Sequence, residues 1–213
     1  MQKISFTNSR RLKLVGHYYE VGSDTTVVMV HGLRGDKSFH GKFDALARQY
    51  NAEGYNAFAF DFCGSGESDV DSVCVEKQLD DLRAAIQFVK NQGSKRLVLN
   101  GHSLGAYVCL RAYTPEVSTM VLFGALTGPI HFNWRLFLSG RQRQELEATG
   151  RITIPIGIGF RKTLVVEEEV IKEVERIDAH QLFGTIACPL LIVHGNADPI
   201  EKMFLKKTRQ AMA

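Results

Sequence analysis

The chain has 213 residues, of which 45% are hydrophobic and 23% charged, with 26 Lys and Arg against 23 Asp and Glu for a net charge of +3. This is the composition of a soluble globular protein of one domain, and it excludes disordered, collagen-like and coiled-coil classes. No Lys/Arg block exceeds pairs such as Arg10-Arg11 and Lys206-Lys207, so the charges read as a solvated surface and not as a nucleic-acid interface.

Strand-like and helix-like segments alternate, the pattern of a mostly parallel sheet with helices on both faces. Residues 2–6 and 11–20 read as an antiparallel opening pair with its turn at Ser9-Arg10. Thr25 to Val30 is β-branched and apolar, a buried strand that ends at His31-Gly32. Phe43, Leu46, Ala47 and Tyr50 form a helix face that stops at Gly54, and Asn56 to Phe62 is the next strand. Leu79, Leu82, Ile86 and Val89 predict a second amphipathic helix with Gly93 at its stop. Arg96 to Asn100 is a strand, Leu104 to Tyr113 a helix and Met120 to Phe123 a further strand.

The rhythm changes over residues 125–180, which read as an insertion over the sheet edge, a lid within a single domain spanning 1–213. Within it, Trp134 to Leu138 is bulky and apolar, and Ser139 is placed to cap a polar helix over 141–149. Ile152, Ile154, Ile156 and Ile158 suggest a short irregular hairpin, and Val166, Val170, Val174 and Ile177 predict one helix face. The sheet resumes at Pro189 to Val193.

Cys63, Cys74, Cys109 and Cys188 form no C-x-x-C pair and have no His at zinc-ligand spacing, which points to a reducing, cytoplasmic setting with no metal and no cofactor. The first residues carry no signal-like apolar stretch, and no apolar run approaches the ~20 residues of a membrane span.

The strongest chemical signal is Gly101-His102-Ser103-Leu104-Gly105-Ala106, a G-x-S-x-G match between a predicted strand and a predicted helix. A nucleophile elbow needs that context: the turn is so tight that a Cβ two residues before or after the serine would clash. His31-Gly32-Leu33, at an earlier strand end, is placed to offer a backbone N–H to a developing oxyanion; Leu104 N–H, directly after the serine, is the other candidate. His31 is read as a turn histidine without a proton-transfer role. Asp198, in His194-Gly195-Asn196-Ala197-Asp198-Pro199-Ile200, follows the serine in the order Ser, acid, His; it also suits the start of a helix with Pro199 at the first position. Gly64-Ser65-Gly66 is a tight turn, since neither a phosphate loop nor G-x-G-x-x-G is completed around it.

On Val28 to Leu33, Phe60 to Ser68, the elbow at 101–106 and Val193 to Ile200, the chain resembles the α/β-hydrolase superfamily from about residue 10 onward. Within it, the chain is most similar to small cinnamoyl/feruloyl-esterase-like and serine-aminopeptidase-like enzymes. The resemblance implies the α/β-hydrolase fold, Ser103 as nucleophile, Asp198 as acid, Leu33 and Leu104 as oxyanion donors, and a lid in 125–180. Phe132, Trp134 and Phe137 are the leading candidates for its apolar walls.

The family pattern also carries one more strand and a catalytic histidine beyond the acid. None of the residues after Asp198 is His, and the histidines are 17, 31, 40, 102, 131, 180 and 194. His131 and His180 belong to the insertion, from which a movement would be needed to reach the serine. The chain therefore reads as short of the family's last strand, or as having lost its base. The expected function is cleavage of small carboxylic esters through an acyl-enzyme, with weak activity. Amide or peptide hydrolysis and non-catalytic binding of an acyl or aromatic ligand are the alternatives. Residues 189–194 are expected to form an exposed edge strand that favours self-association.

Overall fold

The computed structural model describes residues 1–131, 133–157, 159–197 and 199–212, with the backbone alone for 134, 135 and 200. Its centre is a seven-stranded sheet. In chain order the strands are β1 (Gln2–Thr7), β2 (Lys13–Tyr19), β3 (Thr25–Val30), β4 (Asn56–Asp61), β5 (Arg96–His102), β6 (Val117–Phe123) and, after the insertion, β9 (Leu190–Val193). Their spatial order is β1-β2-β4-β3-β5-β6-β9. The β1–β2 hairpin and the β2–β4 pair are antiparallel, and every pair from β4 to β9 is parallel. All six residues of β3 are buried, as a central parallel strand covered on both faces requires.

Side-chain alternation divides the core. Val28 and Val30 on β3, Phe58 and Phe60 on β4 and Leu97 and Leu99 on β5 pack with α2 (Val75–Asn91) and α3 (Leu104–Arg111). Val27, Met29, Ala57 and Ala59 point to the other face, against Phe43 and Ala47 of α1 (Lys42–Ala52). Strand β9 pairs only with β6 among the described strands, with Leu191 56% and Val193 41% exposed along this edge.

Between β6 and β9 the chain forms α4 (Trp134–Phe137), α5 (Gly140–Thr149), a two-stranded sheet of β7 (Arg151–Pro155) and β8 (Thr163–Glu167), α6 (Glu168–Glu175) and α7 (Ala179–Phe183). Ser139 caps α5 as the sequence predicts: its Oγ accepts from Gln142 N–H, and the Gln142 side chain accepts from Ser139 N–H. Two sequence expectations change here. The partner of 151–155 is 163–167, antiparallel, and not a second arm within 152–158. Val166 therefore lies in a strand and only Val170 and Val174 lie on the helix, because Val166 finds a ladder partner in Ile152 and a bridge to Val73. That bridge fastens the insertion to the core: Val73 N–H donates to Val165 O at 2.7 Å, and Glu167 N–H donates to Val73 O at 3.0 Å. Ser72 and Lys77 add side-chain bonds to Glu167. Beyond the insertion, α8 (Pro199–Ala211) follows β9.

A buried ion pair joins the loops that leave β3 and β4. Asp61, fully buried, accepts from Lys37 N–H at 2.6 Å, from the Lys37 ammonium at 2.7 Å and from Glu67 N–H at 2.8 Å. Burial opposes the Lys37 charge, but Asp61 and Glu67 outweigh it and hold its pKa above the ordinary value. Gly66 lies at φ +46°, and a Cβ there would sit 2.1 Å from the Asp61 carboxylate, so the turn read at 64–66 is the cradle of this pair. Lys37→Met leaves Asp61 charged without its cation. The expected cost is about 3–5 kcal/mol, read as a lower denaturant midpoint at unchanged m-value. A midpoint within error of the parent would show that the pair does not hold the loops.

Candidate active site

Ser103 stands between the end of β5 and the first residue of α3, with φ 53° and ψ −122°. A non-glycine residue keeps such a backbone only where its surroundings enforce it. Three contacts do so. A Cβ on Gly101 would lie 2.6 Å from Ala106 Cα, and one on Gly105 would lie 2.3 Å from His31 O. On the third side, Ser103 N–H donates to Phe123 O at the end of β6 at 2.8 Å. Both elbow glycines are thus required by backbone packing, as the motif predicts.

The loop after β3 closes on this turn. A Cβ on Gly32 would lie 2.9 Å from Ser103 Cβ and 3.0 Å from His102 O. Gly35 N–H donates to Gly32 O at 3.0 Å, making a turn in which Leu33 is the second residue and Arg34 has φ 65°. Leu104 opens α3, so its N–H is among the first four of the helix, which have no acceptor within it. These approaches bring Gly32, the residue before Leu33, against Ser103, and Leu104 follows Ser103 directly. The positive end of α3 points the same way, which favours an anion there.

His31 is structural. It is fully buried, its Nδ1–H donates to Gly32 O at 2.8 Å, and its Nε2 accepts from Phe62 N–H at 3.2 Å. These two bonds select the neutral tautomer and tie the Leu33 loop to the end of β4. His102 turns onto the Phe39 ring, with centroids 4.6 Å apart, and its Nδ1 has no partner among the described residues. Burial depresses the pKa of both imidazoles.

Asp198 lies outside the described residues. Its neighbours define a polar knot at the ends of β6 and β9. His194, its side chain 1% exposed, has Nδ1 3.3 Å from Glu201 Oε2 and Nε2 2.8 Å from Thr208 Oγ1, which is 2.7 Å from Thr127 Oγ1. The Glu201 carboxylate also lies 2.6 Å from where a Cβ of Gly124 would be. Sequence reasoning does not single out Glu201 or Thr208; their places in the first and third turns of α8 carry no catalytic signature. His131 and His180 are exposed, and no described histidine is hydrogen-bonded to Ser103. Of the three proposed wall residues, Phe132 lies outside the described residues, as does the Trp134 side chain, and Phe137 on α4 is 71% exposed.

The strand–serine–helix turn, the glycine loop packed on it and the mostly parallel sheet define an α/β hydrolase. The serine aminopeptidase family S33, a group of α/β hydrolases, matches residues 22–156, more than half of the chain, and the chain belongs to that family. None of the curated proteins matches it. Among solved structures, the chain is similar to the esterase Pf2001 of Pyrococcus furiosus, at 22% identity and a TM-score of 0.70 over 99% of this chain and 77% of that one. It is similar to an esterase from Exiguobacterium antarcticum, at 18% identity and TM-score 0.69 over 99% and 87%. It is also similar to a monoacylglycerol lipase from Paleococcus ferrophilus, at 19% identity and TM-score 0.70 over 93% and 82%.

The depressed imidazoles set a pH dependence. An unfolded histidine titrates near 6.5, whereas folded His31 and His102 take up protons only at lower pH. Below about 6.5 the unfolded state therefore binds more protons, and stability falls as pH drops toward the folded values. The expected slope approaches about 1.4 kcal/mol per pH unit for each such histidine. His31→Asn, which can keep one donor and one acceptor, should flatten the stability profile between about pH 6.5 and 5; an unchanged slope would contradict the burial argument.

Proposed function

We propose that this hydrolase attacks small carboxylic esters through Ser103. The observation that carries the reading is the Ser103 backbone at φ 53°, held between Gly101 and Gly105 with Gly32 against its Cβ. A side chain so placed stands half-buried at the sheet end, beside the first backbone N–H groups of α3, the arrangement that acyl transfer needs. Ser103 Oγ attacks the ester carbonyl. Leu33 and Leu104 N–H stabilise the oxyanion, the alcohol leaves, and water then cleaves the acyl-enzyme. Asp198 is the acid of this reading, and the 125–180 segment is its lid, with Phe132, Trp134 and Phe137 as apolar walls. No cofactor takes part.

The weak point of the machinery is the base, because no described histidine is bonded to Ser103. In subtilisin, loss of the triad histidine costs about 2 × 10⁶ in kcat while roughly 10³–10⁴ over water remains. Acylation and deacylation should both be slow, and the intact elbow should still accept reactive acyl or phosphonyl groups. The family's name makes amide bonds the second substrate class. That no described histidine is bonded to Ser103 also favours one further reading, a hydrolase fold that binds an acyl or aromatic ligand without turning it over. Four free cysteines support a reducing cytoplasmic setting, and the exposed β9 edge supports self-association. Among the described residues, no helix is long and apolar enough to cross a membrane.

A fluorophosphonate tests the nucleophile. It should label the chain at Ser103 alone, Ser103→Ala should abolish labelling, and added imidazole should raise Ser103-dependent hydrolysis of p-nitrophenyl acetate by supplying the base. Labelling that survives Ser103→Ala would refute the assignment. Absence of both labelling and imidazole-dependent hydrolysis, in a folded protein, would leave the ligand-binding reading in its place.

A further inference from the structure

The excess positive charge of the chain is gathered at α8. From Arg176 onward, Arg176, Lys202, Lys206, Lys207 and Arg209 stand against Asp178, Asp198 and Glu201, a surplus that accounts for most of the net +3. The helix sorts these charges by direction. Phe204 and Thr208 are buried, at 8% and 5% exposure, and Glu201 turns inward with them, onto His194 and against Gly124. Lys202, Lys206 and Arg209, at i, i+4 and i+7, share the outward face and are all exposed.

No carboxylate answers this face. Lys202, Lys206, Lys207 and Arg209 form no ion pair with any described residue. Lys90, Arg96 and Lys172, on other elements, are by contrast paired with Glu116, Asp24 and Glu168. The open groove along α8 is lined by Lys202, Leu205, Lys206, Arg209 and Gln210, with no acid among them. Apolar side chains border the cations: Leu205 is half-buried and Met212 is 59% exposed. The helix lies across the strand ends, because Glu201 sits against Gly124 and Gly195, just past β6 and β9, and Thr208 bonds to His194. Ser103 stands at the same end of the sheet, just past β5.

We propose that α8 docks on an anionic lipid surface, with Lys202, Lys206 and Arg209 among the headgroup phosphates and Leu205 and Met212 at the boundary of the acyl chains. Basic residues on one helix face with apolar ones beside them suit this interface, since the flexible stems reach phosphates whose positions are not fixed. A nucleic-acid backbone would meet the same cations but leave Leu205 and Met212 in water. Docking requires no chemistry at Ser103; it brings the end of the sheet that carries Ser103 to the lipid.

Co-sedimentation with phosphatidylcholine vesicles, with and without about a third phosphatidylglycerol, tests this at about 0.1 M salt. Binding is expected to the anionic vesicles only, and about 1 M salt should release it, because the screening length falls from about 10 to about 3 Å. Lys202→Gln, Lys206→Gln and Arg209→Gln combined change exposed side chains alone. That variant should unfold at the parent's denaturant midpoint and bind about a hundredfold more weakly, about fivefold per cation. Leu205→Asn should weaken vesicle binding severalfold at an unchanged salt dependence, which adsorption to any polyanion would not show. Ser103→Ala should bind as the parent does, which keeps docking distinct from the reading of the active site. Equal binding to neutral vesicles, no binding to anionic ones, affinity unaltered by the triple substitution, or duplex DNA bound more tightly than vesicles would overturn the proposal.

Discussion

The architecture turns on one backbone contact. Helix α3 begins so close to the end of β3 that no atom fits between Gly105 and the carbonyl groups of Val30 and His31. That approach drives the chain from β5 into α3 within one residue and leaves Ser103 at a positive φ. Most other features near the site serve to keep the contact. Gly32 must also be bare because the loop after β3 has to pass the serine, and His31 holds that loop by bonding forward to Gly32 and sideways to Phe62. Backbone meeting backbone leaves no side chain that could be repacked to relieve the strain.

The same loop is fixed from its far side by Lys37 and Asp61. A buried ion pair is weak evidence for net stability, but it punishes loss of one partner, and so it specifies one loop arrangement. Glu67 extends the pair to the surface, where hydrogen bonds from Lys3 and Lys37 hold its pKa down at about 2. The chain from Lys3 on β1 through Glu67 and Lys37 to Asp61 thus links the outermost strand to the loop that carries Leu33. On the opposite side, His194, Glu201, Thr208 and Thr127 fasten α8 to the ends of β6 and β9. The elbow sits between two polar clamps, and the insertion is fastened separately through Val73 and Glu167.

Much of this was legible in the sequence because it rests on local rules. Six β-branched or apolar residues in a row announce β3, and the spacing of Leu79, Leu82, Ile86 and Val89 announces α2. The elbow glycines are fixed by steric exclusion that the motif itself encodes. Gly64-Ser65-Gly66 was readable as a turn, but its cause, the carboxylate of Asp61 filling the space a Cβ would need, is a contact between loops and leaves no periodic trace. Lys37 escaped notice for the same reason, since a buried lysine looks like a surface one until its acid is placed beside it. Val166 misled because it stands at helical spacing from Val170 while pairing in space with Ile152 and Val73. Cross-strand partners outvoted local periodicity there.

The central claim is that the backbone at Ser103, Leu33 and Leu104 is prearranged to hold an oxyanion, whatever the state of the base. A crystal structure of the phosphonylated protein tests it most directly. The account predicts a bond to Ser103 Oγ, a positive φ at Ser103, and the phosphoryl oxygen within hydrogen-bond distance of both Leu33 N–H and Leu104 N–H. A phosphoryl oxygen turned to solvent, or bound by neither amide while Ser103 carries the adduct, would contradict it.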